Sequence, residues 1–322
     1  MPKFIVGARL HDYGKGSPDE LFGRVAADGF AAVQLAYKKC VPSVRSYADV
    51  TDALVAETVA AEKAHSIQVA VLGTYVELAI NDESRLKNAA DFKSQLAVCK
   101  ALNAGCIGTE TTGMHKQPAG TTRERAQYML CKSLETILPE AERLGVTVAI
   151  EPVVGDSTNT PQAARHILDM MQSPALGVIL DMSNLVSFEG KDNQQPLWDA
   201  MGELLGDKIK AVHFKGKDFA PDGTMLHTSL EAHATFSTVT NPEVEATGVA
   251  LFYLVDDIYL VRATRNTLGI GIDSFKEAQT IQTLLTLIDQ IAPQPCTFHL
   301  THFATQDGIF RGIVTFKTDL TH

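Results

Sequence analysis

No stretch of this chain stays apolar over the roughly 20 residues that a bilayer-crossing helix needs, which argues against a membrane role. The opening "MPKFIVGARL" has neither a secretory apolar region nor a small-residue cleavage site, so a cytoplasmic protein is expected. Cysteine is sparse and scattered: Cys40, Cys99, Cys106, Cys131 and Cys296 include no close pair. That spacing suggests neither a disulfide framework nor a zinc knuckle, and all five thiols are expected to be reduced. Dense Lys/Arg runs are also missing. With 28 basic against 38 acidic residues and a formal net charge of −10, the chain would be repelled by phosphate backbones, so no nucleic-acid partner is expected. No Walker-type or G-x-G-x-x-G loop is present; "GIGID" at 269–273 lacks the third glycine. Low-complexity segments and short-period repeats are absent too.

What is present is a rhythm. Short apolar runs occur at residues 4–10, 31–36, 68–73, 105–108, 146–150, 177–180, 209–214 and 296–300. Helical patterns separate most of them. In "LKNAADFKSQLAVCKALNAG", Leu86, Ala89, Leu96, Cys99 and Leu102 recur at spacings of three or four residues or their multiples. Thr160 and Pro161 are placed as N-cap and first helical residue, and "SFKE" at 274–277 has the form of a capping box. Eight strand-helix alternations over 322 residues predict a single α/β domain, residues 1–322, folded as a (β/α)8 TIM barrel, with a doubly wound sheet as the rival.

Side-chain parity favours the barrel. In "VTVAIE" the residues Thr147, Ala149 and Glu151 share one face, which suits a crowded barrel axis, while Val146, Val148 and Ile150 share the face toward the helices. The same alternation groups Gly177, Ile179 and Asp181, and Ile209, Ala211 and His213. Glu151, Asp181 and His213 then meet at one rim. Two carboxylates and an imidazole, partly removed from water at strand ends, are the donor set of a divalent metal. Pro152 stops the strand directly after Glu151, because it has no N–H for a sheet ladder.

The stretches "AIEPV", "LDMSN" and "VHFKGKDF" resemble the fifth, sixth and seventh strand ends of the xylose-isomerase-like superfamily of sugar-phosphate isomerases and epimerases. "GARLHDYG" (7–14), "VLGTYVELAIND" (71–82) and "GTETTG" (108–113) resemble the first, third and fourth. The resemblance implies one bound Mn²⁺, Mg²⁺, Co²⁺ or Zn²⁺, a small sugar or sugar-phosphate substrate, and metal ligands Glu151, Asp181 and His213, with Glu151 also the proton-transfer residue. A second Glu is expected on the eighth strand, where the matching pattern here is Leu300-Thr301-His302-Phe303. A neutral hydroxyl in that place leaves one acid/base, which permits same-face aldose–ketose isomerisation or elimination of water and disfavours two-base epimerisation. Glu231, Asp273 and Glu110 are the carboxylates available to compensate.

The expected activity is therefore a metal-dependent sugar or sugar-phosphate isomerase or epimerase acting through an enediolate. The alternatives are a lyase of the inosose-dehydratase kind and a carbohydrate-binding barrel with attenuated catalysis. An abasic-site endonuclease on this fold is disfavoured by the acidic charge and by too few strand-end histidines.

Four further residues are candidate substrate contacts, each with a plainer reading. His11, with Asp12, either touches substrate hydroxyls or forms a turn element. Glu110 is either a rim carboxylate or a solvated loop residue. Asn184 either contacts substrate or caps the turn after Asp181, and Lys215 either binds a hydroxyl or phosphate or pairs with Asp218. Between the seventh and eighth strands, residues 219–272 form an expected β-rich insertion in which "GVALFYLVDDIYLVRAT" reads as a hairpin turning at Asp256-Asp257; the other parse takes "VALFYLVDD" as the eighth strand, and the later run is preferred because a capped helical pattern directly precedes it. A hairpin so apolar is expected to cover the barrel mouth or a second copy in a homo-oligomer.

Overall fold

The computed structural model describes residues 3–213, 216–223, 225–228, 250–254, 257–264, 269–275, 296–306 and 309–318. Seven strands, β1 (Lys3–Arg9), β2 (Ala32–Leu35), β3 (Gln68–Gly73), β4 (Cys106–Glu110), β5 (Val148–Glu151), β6 (Leu176–Asp181) and β7 (Ile209–His213), lie in one sheet in sequence order. Each pairs parallel with the next. The connections carry α1 (Pro18–Ala27), α2 (Tyr37–Cys40), α3 (Asp52–His65), α4 (Asp82–Ala101), α5 (Arg123–Leu144), α6 (Pro161–Met171), α7 (Met182–Leu185) and α8 (Gln195–Leu205). A doubly wound sheet would reverse its strand order at a switch point; sequential order is that of a singly wound barrel.

The helices start where local chemistry dictates. The Thr160 hydroxyl accepts from the Ala163 N–H at 3.0 Å and Pro161 occupies the first turn of α6. Ser17 and Glu20 form a reciprocal capping box on α1. Of the apolar positions expected to bury one face of α4, Ala89, Leu96, Cys99 and Leu102 do so, but Leu86 in its first turns is 57% exposed.

The two faces of the sheet carry different residues. Large side chains such as Phe22, Phe92, Leu96 and Trp198 fill the layer between strands and helices. Ala32, Ala70, Val71, Cys106, Ala149, Ile179 and Ala211 form a second buried cluster with no helix residue in it, the filling of the barrel axis. Gly108 belongs to the same packing: a Cβ there would collide with Ile179 Cδ1 and stand 3.2 Å from the Ala149 carbonyl oxygen. Gly108→Ala is expected to lose about 1–3 kcal/mol in urea unfolding, and Ile179→Val in the same chain to recover most of it. Equal stability of Gly108→Ala and parent would mean that the barrel interior is not filled in this register.

The C-terminal part departs from the expected eighth strand. Beyond the two-stranded pair β8 (Gly216–Phe219) and β9 (Met225–Thr228) come β10 (Ala250–Leu254) and β11 (Asp257–Thr264), paired antiparallel with Leu254 opposite Asp257. It is β11 that pairs with β1, also antiparallel, and β10 that packs near β7. The run at 296–300 lies instead in β13 (Cys296–Gln306), which with β12 (Gly269–Phe275) and β14 (Ile309–Thr318) makes a separate antiparallel sheet. The physical reason is pattern. "TFHLT" alternates polar and apolar, as a half-covered antiparallel strand does, and does not run apolar throughout as "ALFYL" near β7 does. Thr301 therefore sits at an irregularity in the β13–β14 pairing, between Leu300 and His302, not on a strand paired with β1. The expected capping box at 274–277 begins inside β12, and the helix expected to follow lies outside the described residues. So do residues 229–249 of the expected insertion, Glu231 among them. No helix among the described residues is long and apolar enough to cross a membrane.

Candidate metal centre

Glu151, Asp181 and His213 are the last residues of β5, β6 and β7, three neighbouring strands. Asp181 and His213 are direct partners across the β6–β7 ladder, and Glu151 is the partner of Glu110 at the end of β4. The strands stop together, so their final inward side chains are brought together. One donor atom from each of Glu151, Asp181 and His213 lies within 4.8 Å of the others, and all three residues are buried. His213 Nδ1 is 3.3 Å from Glu151 Oε2 and 3.4 Å from Asp181 Oδ2.

The two separations from His213 bear on what kind of cluster this is. A charge-assisted hydrogen bond closes to about 2.7–2.9 Å. Three O and N ligands held about 2.0–2.2 Å from a common ion in tetrahedral directions stand about 3.4 Å apart. The two separations from His213 suit such a ligand set, and two carboxylates in so dry a place are a costly arrangement that a divalent cation would offset. The residues present fit such an ion.

Asn184 is the residue that orients Glu151. Its backbone N–H donates to Asp181 Oδ1 at 2.9 Å, its carbonyl accepts from Val154 N–H at 2.9 Å, and its side-chain amide donates to Glu151 Oε1 at 2.8 Å. Held at three points, it leaves Glu151 Oε2 turned toward His213. It is thus both the turn element after Asp181 and a contact to the site.

The rest of the rim is built by β1 to β4. Arg9 and Asp12 form a two-pronged ion pair, with Nε and a terminal nitrogen each 2.7 Å from a carboxylate oxygen, so Asp12 is a hydrogen-bond element. Beside them His11 packs edge-on against Tyr75, ring centroids 6.1 Å apart. Burial, then Arg9 and Lys39, push the His11 imidazole down to about 3, so it is neutral near pH 7 and no proton donor there. Glu110 is half-buried next to Glu151. Lys215 lies outside the described residues, as does any pairing with Asp218.

Four residues of this face, Tyr75, Gln34, Lys39 and Asp156, escape the sequence reading. Tyr75, just past β3, has φ +52°, a left-handed conformation uncommon outside glycine, and its hydroxyl accepts from the buried Gln34 amide at 3.3 Å. Lys39 lies in α2, beyond β2, with Nζ 3.2 Å from the Tyr75 ring centroid. Asp156, in the loop after β5, is buried; burial first, then Glu110, Glu77 and Glu151, push its carboxyl up to about 7. A signal existed for Gln34, a lone amide inside the apolar run at 31–36, and for Lys39, a cation three residues beyond that run.

A family profile described as xylose isomerase-like TIM barrel matches residues 22–238. Among solved structures, IolI protein with a bound zinc atom is 16% identical, covering 77% of this chain and 87% of its own, with a TM-score of 0.59. A xylose isomerase-like TIM barrel protein from Mycobacterium smegmatis in complex with magnesium is 16% identical, covering 70% of this chain and 78% of its own, at 0.52. The 3-keto-D-glucoside 4-epimerase YcjR from E. coli, in its apo form, is 16% identical, covering 62% and 74%, at 0.50. At such identities the likeness is one of fold. Comparison with curated proteins gives no match. The profile covers well over half of the chain, which therefore belongs to the xylose isomerase-like TIM-barrel family.

Proposed function

We propose that this protein is a metal-dependent isomerase or epimerase of sugars or sugar phosphates, with Glu151 as its proton-transfer residue. The observation that carries this reading is the meeting of Glu151, Asp181 and His213 at the ends of three adjacent strands. Zinc and magnesium in two structural neighbours, and a third neighbour that is an epimerase, support it. A divalent ion held by the three side chains would act as a Lewis acid toward the negative charge that develops on substrate oxygens.

The chain's own residues supply the rest. Glu151 takes the proton from the carbon next to the carbonyl, and the freed electron pair moves onto the carbonyl oxygen to give an enediolate. Glu151 then returns the proton to the neighbouring carbon while the substrate's hydroxyl proton passes to the new hydroxyl. Asn184 holds Oε1 throughout. Because Glu110 sits beside Glu151, these two carboxylates serve one side of the rim, which favours same-face isomerisation. A lyase that expels water needs a group carrying a proton near neutrality, and Asp156 is such a group.

The test is incubation of ketoses and ketose phosphates in deuterated water with protein purified without chelators and supplied with Mn²⁺. Deuterium is expected at the carbon next to the carbonyl of at least one. A metal-loaded protein that labels none would be a binding barrel, and the enzyme reading would fail. Removing the Asn184 amide isolates orientation from ligation: Asn184→Ala should slow exchange roughly 10–100-fold at unchanged metal stoichiometry. Unchanged exchange would remove Asn184 from the site.

A further inference from the structure

We infer that Lys39, presented over the Tyr75 ring, is a specificity residue that recognises an anionic group, carboxylate or phosphate, on the substrate. The inference rests on reading the Glu151, Asp181 and His213 trio as the catalytic centre, and it names the class of substrate bound there.

The short helix α2 fixes where Lys39 points. Its two ends are anchors: Tyr37 is buried with its hydroxyl 2.7 Å from Thr58 Oγ1, and Cys40 is buried with its thiol donating to the Ala36 carbonyl. The two lysines between them diverge. Lys38 lies over the Tyr47 ring, 4.8 Å from its centroid, while Lys39 lies over Tyr75, whose ring also meets His11 at the end of β1. Lys39 is thus directed into the barrel mouth, three strands along the sheet from β5.

Its surroundings leave its charge unanswered by any close carboxylate. Arg9 faces it from the end of β1, His11 and Asp12 from the turn beyond β1, Tyr75 from beyond β3, Glu110 from the end of β4 and Glu151 from β5. Arg9 is closed onto Asp12, and among the described residues no carboxylate lies within ion-pair distance of Lys39. The ammonium is met by a π face instead, a contact that orients a cation and leaves its outer side open. Lys39 remains more than a third exposed, so a ligand can reach it. Burial first and then Arg9 push it down to about 8, against the longer-range upward pull of Glu110, Asp12 and Glu151. An arriving anion would offset both effects by favouring the ammonium, and a neutral hydroxyl would do so far less.

The experiment uses the full chain with Mg²⁺, its lysines reductively methylated with ¹³C-formaldehyde, and Lys39 assigned by the resonance missing from Lys39→Arg. Ring current from Tyr75 should set that resonance apart. D-fructose 6-phosphate, D-gluconate and D-fructose are titrated separately. Saturable movement of the Lys39 signal is expected with one or both anions, at concentrations where D-fructose leaves it still and the Lys38 signal does not move. The phosphate and carboxylate arms tell which anion is preferred. Binding should weaken about tenfold from pH 7 to about pH 9, as an ammonium titrating near 8 loses its proton. Equal movement with D-fructose, equal movement at Lys38, or no movement at all would overturn the inference. Mg²⁺ content measured on the same sample reports on the metal centre separately, so an intact centre with a silent Lys39 sinks this inference alone.

Discussion

Glu151→Gln should lose deuterium exchange by on the order of 10³-fold while the fold stays intact. The amide keeps the volume of the carboxylate, and its oxygen can still accept from Asn184 Nδ2, the 2.8 Å bond that holds Oε1 in the parent. What it cannot do is accept the substrate's proton. The same change removes one negative charge from the trio, so metal affinity should fall as well, and the two effects must be separated. Measuring exchange at metal concentrations that saturate the variant does so. A residual rate within about tenfold of the parent at saturation would show that Glu151 ligates only and that the proton moves elsewhere, with Glu110, its neighbour across the β4–β5 ladder, the first group to test.

The trio was legible in the sequence because two simple regularities act together there. Period-two alternation assigns Ala149 and Glu151, Ile179 and Asp181, and Ala211 and His213 to the barrel axis, and the buried cluster of Ala149, Ile179 and Ala211 follows from it. Strand termination at Pro152, and the register that pairs Asp181 with His213, then bring the polar ends to one level. Neither regularity reaches the loops. Tyr75 owes its place to a left-handed backbone that no periodicity encodes, and Lys39 to a four-residue helix too short to show a pattern. The final barrel position was misassigned for a different reason. A strand and its helix look alike whether they close a barrel or build a separate sheet, and the expected helix start at Ser274 proved to be strand. The hairpin of "ALFYL" and "DIYLVRAT", whose first half the other parse took as the eighth strand, stands between β7 and β1 in place of the alternating run that carries Thr301.

The metal-free and metal-loaded proteins should respond in opposite senses to Asp181→Asn. Asp181 is fully buried, with Glu151 nearby and His213 Nδ1 3.4 Å from its Oδ2. Without an ion, two carboxylates share one buried site, and asparagine replaces one of them with a neutral amide. The turn is preserved, since an Asn oxygen can accept from Asn184 N–H as Asp181 Oδ1 does. In EDTA the variant should therefore be as stable as the parent or more so, by up to a few kcal/mol, each kcal/mol raising the melting midpoint by roughly 2–4 °C. Adding Mn²⁺ reverses the order. At a free metal concentration about 100 times its dissociation constant the parent gains about 2.7 kcal/mol, while the variant, missing an anionic ligand, gains little. Calorimetric scans of both proteins with EDTA and with Mn²⁺ measure the crossing. Equal gains on adding Mn²⁺ would place the ion away from Asp181, and a variant destabilised in EDTA by several kcal/mol would mean that the buried carboxylate is held by the protein alone.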